Sequence, residues 1–460
     1  MAYHRAMIFR RYGTFTGGID LPDEKRATLE EPVRPCGTPA ALRVPLAPCA
    51  GRAAEPVVNV GDRVRAGERL AEAADEAGVD VFAPLDGRVE AFATVAVAGR
   101  NGFADSPAVV LADLASPADT MPAPGARGRA EPAFNWPAAS PEEIIDRVAA
   151  GGLTTYGRPP QPLGRWLARA RRKHCRTLIG NVMEQEPYVT ADHRVLAEHG
   201  AAVMEGLAIL GRAIGVREIV LAADRRRTGA YEASMEAAER FGIARVALPH
   251  KYPVGAATIL TKVLTRRETP PGRSTIEAGA AVVDAATCLA AHRWLVEGAR
   301  PLGRVVTVSG PGVEAPANLW VPFGADCAEL AGNSSGLLVH GGPMAGLCCD
   351  GQAVVTPATT AVLALEPPAP PLPTPCIRCG WCTDHCPARL NVAALNDAFE
   401  LSLVAAARRG GVLACVECGV CSYVCPARLP LAQRVKRLKR HVVLPPPAPE
   451  APGKPAERRA

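Results

Sequence analysis

The chain has 460 residues and 48% hydrophobic content, enough for two to four domains with buried cores. Its net charge is +6, but the segment from Arg408 onward holds eleven Lys or Arg and only three Glu. The excess positive charge therefore lies in this segment alone, which argues against a nucleic-acid-binding protein. The sequence has no run of 18 apolar residues and no apolar signal core near its start, which excludes a transmembrane helix and predicts a cytoplasmic chain.

Residues 1–115 are predicted to form a β-rich domain that begins with an irregular arm. Short apolar runs at 56–60 and 79–82 alternate with turn signals such as Gly61-Asp62 and Asp86-Gly87. This pattern is typical of the hairpins of a small β sandwich or barrel. Residues 116–141 contain six prolines and few large apolar side chains, which predicts a linker.

Residues 142–300 are predicted to form an α/β domain. Ser140 is suited to cap a helix over Pro141–Ala150, with Glu142 and Glu143 in its first turn. A strand at Thr177–Val182 and a helix at 194–214 follow. The segments 218–222, 229–241 and 245–248 then alternate strand, helix and strand, which indicates a βαβ unit with a partly parallel sheet. Residues 251–300 are predicted to be mainly helical.

The last third of the chain is predicted to contain a β-rich segment and a cysteine-rich domain. Residues 301–366 carry short apolar runs with turn signals, and 367–375 form a proline-rich, extended connector. Residues 376–440 hold the cysteine motifs, with an extra helix expected around 392–408. Residues 441–460 cannot bury a core and are predicted to be disordered.

Eight of the fifteen cysteines fall in two copies of one motif. Each copy has the spacing CxxCxxCxxxCP of bacterial ferredoxins, whose first three thiolates bind one 4Fe–4S cube while the fourth binds the other. The sequence therefore predicts two 4Fe–4S clusters, the first held by Cys376, Cys379, Cys382 and Cys425, and the second by Cys415, Cys418, Cys421 and Cys386.

Zinc is the alternative metal, because two CxxC pairs can make a four-cysteine zinc site. Zinc does not account for two copies of a three-plus-one spacing that ends in Cys-Pro. A secreted disulfide framework is also a poor match, because the chain is long and its cysteine count is odd. The histidines show no metal-binding spacing.

The ordered set of motifs along the chain resembles the RnfC family, the peripheral subunit of the Rnf electron transport complex. The resemblance rests on Phe15-Thr16-Gly17-Gly18-Ile19, Val60-Gly61-Asp62-Arg63-Val64, Ala83-Pro84, Glu184-Gln185-Glu186-Pro187-Tyr188, Lys251-Tyr252-Pro253, Gly341-Gly342-Pro343-Met344 and the two cysteine motifs. It implies a multidomain α+β protein with a barrel-sandwich N-terminal domain and a central α/β domain resembling the flavoprotein subunit of complex I. A small β-grasp-like (SLBB-type) domain and a helical dicluster ferredoxin domain would follow.

The resemblance also implies an FMN site and NADH as a substrate. In the family a glycine-rich loop lets backbone N–H groups approach the cofactor phosphate. The equivalent stretch here, residues 149–164, keeps part of the glycine pattern and contains three prolines, which lack N–H groups. Glu184, Glu186, Tyr188 and Lys251 are the implied cofactor-binding residues. From the residues alone, Glu186-Pro187 is more typical of an exposed turn after a strand, and Lys251-Tyr252-Pro253 is alternatively a turn at the end of a strand.

The implied function is electron transfer between NADH and a ferredoxin or flavodoxin-type carrier, with membrane subunits of an Rnf-like complex as partners. The chain would then lie at the inner face of the cell membrane through those partners. A flavoprotein similar to cobalamin reductase, and an iron–sulfur relay that has lost nucleotide binding, are the alternatives. The basic run at 434–440 would contact anionic lipid or an acidic ferredoxin, or form an exposed helix face.

Overall fold

The computed structural model describes residues 13–49, 51–99, 102–117, 134–349, 351–368 and 374–443. The chain divides into two compact units, Met1–Pro370 and Pro371–Ala460. Within the described ranges, no helix is both long and apolar enough to cross a membrane.

The first unit begins with two small antiparallel sheets. Strand β1 (Arg34–Pro35) precedes them and pairs in another sheet. The strands of the two small sheets are β2 (Leu42–Pro45), β3 (Glu55–Pro56), β4 (Arg63–Val64), β5 (Arg69–Glu72), β6 (Val81–Phe82), β7 (Gly87–Gly99) and β8 (Gly102–Ala112). One sheet has the order β2-β8-β7-β4 and the other the order β3-β5-β6. Leu42, Val89 and Leu111 are fully buried in the core of this part, as expected for strands that alternate apolar and polar residues.

The centre of the first unit is a parallel sheet covered by helices. Its elements are α1 (Pro141–Ala150), α2 (Leu163–Arg172), β9 (Thr177–Val182), α3 (Ala191–Ile214), β10 (Glu218–Asp224), α4 (Thr228–Ala233), α5 (Met235–Arg240), β11 (Ala244–Leu248), α6 (Ala257–Thr265), β12 (Ala280–Asp284) and α7 (Ala285–His292). The strand order is β11-β10-β9-β12, and all neighbours are parallel. Ser140 caps α1 in a reciprocal capping box with Glu143, as the sequence predicted.

The expectation that residues 251–300 are mainly helical is corrected by β12. This strand pairs with β9 and closes one edge of the parallel sheet. It begins with two alanines and runs directly into α7, whose sequence is also rich in alanine. Its strand identity therefore depends on the pairing with β9 rather than on local propensity.

A six-stranded mixed sheet completes the first unit. Its further elements are β13 (Gly303–Ser309), β14 (Ala317–Pro322), α8 (Cys327–Ala331), β15 (Leu337–His340), β16 (Leu347–Cys348) and β17 (Ala361–Leu365). The order is β1-β14-β13-β17-β15-β16, so the N-terminal strand β1 is one edge of this sheet. Val306, Val321 and Val362 share one buried core with Leu42 and Val89. The β-rich segment at 301–366 thus packs with the N-terminal sheets.

The end of the predicted linker is packed against α3. Trp136 donates its indole N–H to Glu205 at 3.0 Å, and the Ala139 carbonyl accepts from the Arg212 guanidinium at 2.9 Å. Residues 118–133 of that linker lie outside the described residues.

The second unit is helical, with elements α9 (Trp381–Asp384), α10 (Val392–Glu400), α11 (Val404–Arg409), α12 (Val420–Tyr423) and α13 (Leu431–Val443). Leu395, Ala407, Val412 and Leu438 are among the residues of its core. The helix expected around 392–408 is two helices, separated where Ser402 takes a left-handed φ of 54°. Helix α13 includes residues 441–443, the start of the predicted disordered tail, and residues 444–460 lie outside the described residues.

Candidate functional site

The two cysteine motifs share one backbone conformation. The second residue after the first cysteine of each motif, Arg378 or Glu417, has a left-handed φ of 58° or 60°. Gly380 and Gly419, which follow the second cysteine, have φ values of 83° and 80° and lead into α9 and α12. Two left-handed residues so close together turn the loop sharply. The sequence repeat is therefore also a structural repeat.

The structure brings the eight cysteines together in two groups of four. Cys376, Cys379 and Cys382 line one cavity together with Cys425, the last cysteine of the other motif. The other group is formed by Cys415, Cys418 and Cys421 with Cys386, the last cysteine of the first motif. Cys386 lies close enough to contribute to the raised pKa of each of the other three thiols. Each group takes three thiols from one motif and one from the other.

Within the described ranges, no three His, Cys, Asp or Glu side chains are drawn together closely enough to hold a single metal ion. A 4Fe–4S cube needs no such convergence, because each of its four thiolates binds a different iron. The donor set, four soft sulfur ligands around a cavity, fits a cube.

The two groups differ in exposure. Cys379 of the first group is exposed, and Ile377 and Trp381 beside it are 60% and 54% exposed. In the second group, burial raises the pKa of the free Cys415 thiol to about 11 and that of Cys418 to about 12. Cys382 of the first group is buried, and Cys415, Cys418 and Cys421 are half-buried, so the first group spans the wider range of exposure.

Backbone N–H groups point at sulfur in the second group. Leu390 donates to Cys386 Sγ and Glu417 donates to Cys415 Sγ, each at 3.4 Å. Such bonds stabilise negative charge on the sulfurs of a cluster and so bear on its reduction potential.

Glu184, the first of the implied cofactor-binding residues, caps a helix. Its carboxylate accepts from the backbone N–H groups of Asp192 and His193, at 2.8 and 3.1 Å, in the first turn of α3. Carboxylates are favourable at this position because they satisfy the free amides of a helix start.

Glu186 is half-buried at the carboxyl edge of the parallel sheet. Its carboxylate accepts from the Tyr252 hydroxyl at 3.0 Å and from the Met344 N–H at 2.9 Å. Burial raises the pKa of this carboxyl, and these two hydrogen bonds oppose the rise. A Cβ on Gly342 would lie 2.3 Å from Glu186 Oε2, so the glycine lets the 341–346 loop reach this carboxylate. The carboxylate of Glu186 is therefore engaged within the protein rather than fully exposed, as the turn alternative expected.

Tyr188 and Lys251 contact the N-terminal arm and the neighbouring sheet. The Tyr188 N–H donates to the Asp23 carbonyl at 3.1 Å, and its side chain packs against Val189 and Leu363. Lys251 Nζ donates to the Phe15 carbonyl at 3.0 Å and lies 4.6 Å from the centre of the Phe15 ring. All four implied residues thus lie near one edge and are engaged by contacts within the protein.

Lys25 is a further residue of this edge, and no pattern in the sequence selects it. Its ammonium is buried and donates to the Glu184 carbonyl at 2.9 Å and to the Val189 carbonyl. Burial lowers the pKa of Lys25, while Glu184 and Asp23 raise it. A single lysine in a turn-rich arm looks the same in sequence as a solvated one.

The loop at 149–164 offers few free N–H groups for a flavin phosphate. The Tyr156 amide donates to Thr287 Oγ1 at 2.8 Å, and the Thr155 amide donates to the Gln161 carbonyl at 2.9 Å. The three prolines of this loop have no N–H group.

The start of α7, which this loop contacts, is occupied by carboxylates. Asp284 caps α7 and accepts from the Thr287 N–H at 2.7 Å. Burial together with Asp284 and Glu184 raises the pKa of the Asp192 carboxyl well above the usual range. A phosphate needs the Thr287 amide free and would meet two acidic groups. The residues present therefore do not fit a flavin phosphate at this position.

Three family models match the chain in order. They are the RnfC barrel sandwich hybrid domain at residues 13–113, the Nuo51 FMN-binding domain at 148–293 and the 4Fe-4S dicluster domain at 372–426. The mixed α/β architecture with a barrel-sandwich N-terminal domain and a C-terminal dicluster domain is confirmed. The expected cofactors, 4Fe–4S clusters and FMN, have their corresponding domains in this chain.

Curated relatives extend over most of the chain. A subunit of the ion-translocating oxidoreductase complex of Rhodobacter capsulatus is 33% identical, and the match covers 89% of this chain and 79% of the relative. A subunit of the proton-translocating ferredoxin:NAD(+) oxidoreductase complex of Clostridium ljungdahlii is 28% identical, with coverage of 83% and 84%. The corresponding protein of Edwardsiella ictaluri is 31% identical, and the match spans 48% of its length.

A solved structure of NAD+-reducing [NiFe]-hydrogenase in the H2-reduced state shows a weak likeness, with a TM-score of 0.46 and 16% identity over 66% of this chain and 61% of the hydrogenase chain. The curated relatives and the RnfC domain model lead to one family. The chain belongs to the RnfC family, whose members are subunits of ion-translocating oxidoreductase complexes.

Proposed function

We propose that this chain is the electron-transfer subunit of an ion-translocating membrane complex, passing electrons between NADH and a ferredoxin-type carrier through two 4Fe–4S clusters. The observation that carries the proposal is the grouping of the eight motif cysteines into two sets of four. Two cubes that share ligand loops lie close together, and this suits a relay of single electrons. The Clostridium ljungdahlii relative, whose name includes ferredoxin:NAD(+) oxidoreductase, supports the two ends of the relay.

The ligands of the clusters are crossed between the motifs in this proposal. Cys425 would complete the first cluster and Cys386 the second. The shared cavity of Cys425 with Cys376, Cys379 and Cys382 supports the first assignment. The electrostatic proximity of Cys386 to Cys415 supports the second.

The finer domain assignment and the location are part of the same proposal. The parallel sheet supports an α/β domain at 142–300, and the short strands β13–β17 support an SLBB-like segment at 301–366. The chain would bind membrane subunits of an Rnf-like complex at the inner face of the cell membrane, because its relatives are subunits of ion-translocating complexes.

A second candidate is an iron–sulfur relay that has lost nucleotide binding in its central domain. The Asp284 carboxylate on the Thr287 amide of α7, with Asp192 close to it, favours this candidate, since a phosphate would need that amide and would meet both acids. In that case the NADH-oxidising flavin would belong to a partner.

Anaerobic reconstitution of the full chain tests both candidates. We expect about eight irons and eight sulfides per chain, the content of two 4Fe–4S cubes. Stoichiometric FMN together with bleaching of the clusters by NADH would support the first candidate with its own flavin. Eight irons without flavin or NADH response would support the relay. Zinc in place of iron would contradict both.

Matched cysteine variants test the crossed ligands. We expect Cys425→Ser to alter the spectrum of the cluster that is also altered by Cys379→Ser, although the two residues lie in different motifs. Cys348→Ser is the control, because Cys348 is an exposed cysteine outside the motifs and should leave iron content unchanged. If Cys425→Ser and Cys418→Ser altered the same cluster instead, the ligands would not be crossed.

A further inference from the structure

The same position in the two motifs carries opposite charges. Arg378 and Glu417 each lie between the first two cysteines of their motif and share the left-handed conformation. The Arg378 guanidinium pairs with Asp397 of α10 at 2.9 Å. The Glu417 carboxylate pairs with Lys439 of α13 at 2.7 Å. The loop thus provides the cation in one motif and the anion in the other.

The two ion pairs differ in their exposure to water. The side chains of Arg378 and Asp397 are 67% and 33% exposed, whereas those of Lys439 and Glu417 are 12% and 27% exposed. Water and salt screen an exposed charge strongly and a shielded one much less. The charge of Lys439 therefore acts over a longer range on its surroundings than the charge of Arg378.

Lys439 is directed at a cluster ligand by its position on α13. It lies on the inner side of the helix, near Val435 and Val442, which are both buried, while Arg437 and Arg440 are exposed. Its ammonium donates to the Cys415 carbonyl at 2.7 Å as well as to Glu417. One side chain therefore fixes a positive charge against the loop that holds Cys415.

We propose that Lys439 is a positioning residue that raises the reduction potential of the second cluster, the one held by Cys415, Cys418, Cys421 and Cys386. Reduction adds one negative charge to a cube and moves no proton or bond at the ligands. A shielded cation beside the ligand loop stabilises that added charge, and Glu417 opposes it in part.

The inference rests on the proposed relay, because it assumes that both clusters are present. It goes further in making the two clusters unequal, with the potential of the second one set by a residue outside the cysteine motifs. Different experimental results would contradict the two proposals. Loss of iron would contradict the relay, whereas intact clusters with unchanged potentials would contradict the role of Lys439.

Midpoint potentials of the reconstituted full chain, measured by redox titration with electron paramagnetic resonance, test the inference. We expect Lys439→Met to lower one of two midpoints by about 59 mV, a tenfold change in the one-electron equilibrium. Glu417→Gln should raise the same midpoint, because it removes the opposing anion and leaves the cation. Lys439→Arg keeps the charge and should stay close to the unsubstituted protein.

Arg378→Met is the matched control, since Arg378 has the same motif position but is exposed, and it should leave that midpoint in place. Unchanged midpoints in Lys439→Met with eight irons bound would overturn the proposal. So would shifts of Lys439→Met and Glu417→Gln in the same direction, because loop distortion rather than charge would then be the cause. If Lys439→Met cannot hold its clusters, Glu417→Gln tests the proposal alone. An upward shift of the midpoint in that variant supports the proposal, and an unchanged midpoint contradicts it.

Discussion

Charged side chains that are shielded from water join different segments at the carboxyl edge of the parallel sheet. The half-buried Glu186 is held by Tyr252 and Met344, and the buried Lys25 by two backbone carbonyls. Burying each group costs free energy unless it is hydrogen-bonded, and burial shifts each pKa toward the neutral form. These residues chiefly stabilise contacts between segments that are far apart in sequence.

His340 makes the stability of the first unit depend on pH. It is buried, its Nε2 lies 2.7 Å from Thr359 Oγ1, and burial with Arg158 and Arg304 lowers its pKa to about 3. The unfolded chain takes up this proton near pH 6.5, but the folded chain does not, so stability falls as pH drops from about 6.5 toward 3. Between pH 7.5 and 5 we expect a loss of about 2 kcal/mol from this group.

Urea unfolding of His340→Gln, followed by circular dichroism at several pH values, checks this expectation. The variant should lose less stability than the unsubstituted protein between pH 7.5 and 5, whatever its absolute stability. His174→Gln is the control, because His174 is exposed. An unchanged dependence on pH in His340→Gln would show that His340 is not the group responsible.

Helices α3 and α7 approach closely at a glycine. A Cβ built on Gly206 of α3 would lie 1.9 Å from the Cys288 carbonyl oxygen of α7. Glycine normally weakens a helix by about 1 kcal/mol relative to alanine. Here the missing side chain allows the two backbones to pack, so the local cost is offset by tertiary contact.

Gly206→Ala should therefore destabilise the first unit by about 3 kcal/mol, because the clash with backbone outweighs the gain in helix propensity. Gly229→Ala in α4 is the control, since its Cβ would meet nothing within 4 Å. We expect that variant to be neutral or slightly more stable. Equal unfolding free energies for the two variants, measured in urea, would contradict the close packing.

Across the whole molecule, the sequence predicted what depends on local patterns. The capping box at Ser140, the βαβ order and the eight motif cysteines all follow from spacing within short segments. Strand β12 depends on pairing with β9 across the sheet, and Glu186 accepts a hydrogen bond from a loop more than 150 residues away. Lys439 lies outside both motifs, and only the fold brings its ammonium to Cys415. Such long-range contacts leave no local signal.

The two compact units should respond separately to removal of iron. In the second unit, Cys376, Cys386 and Cys415 pack against the apolar core, so the clusters link the loops that cover this core. Metal ligation of this kind contributes to folding, and we expect the second unit to lose helix signal when iron is chelated.

The first unit holds four of the five tryptophans, and Trp381 is the fifth. In a Trp381→Phe variant, tryptophan fluorescence reports on the first unit, and its thermal transition should be unchanged after chelation. A fall of that transition by several degrees on iron removal would show that the clusters also stabilise the first unit.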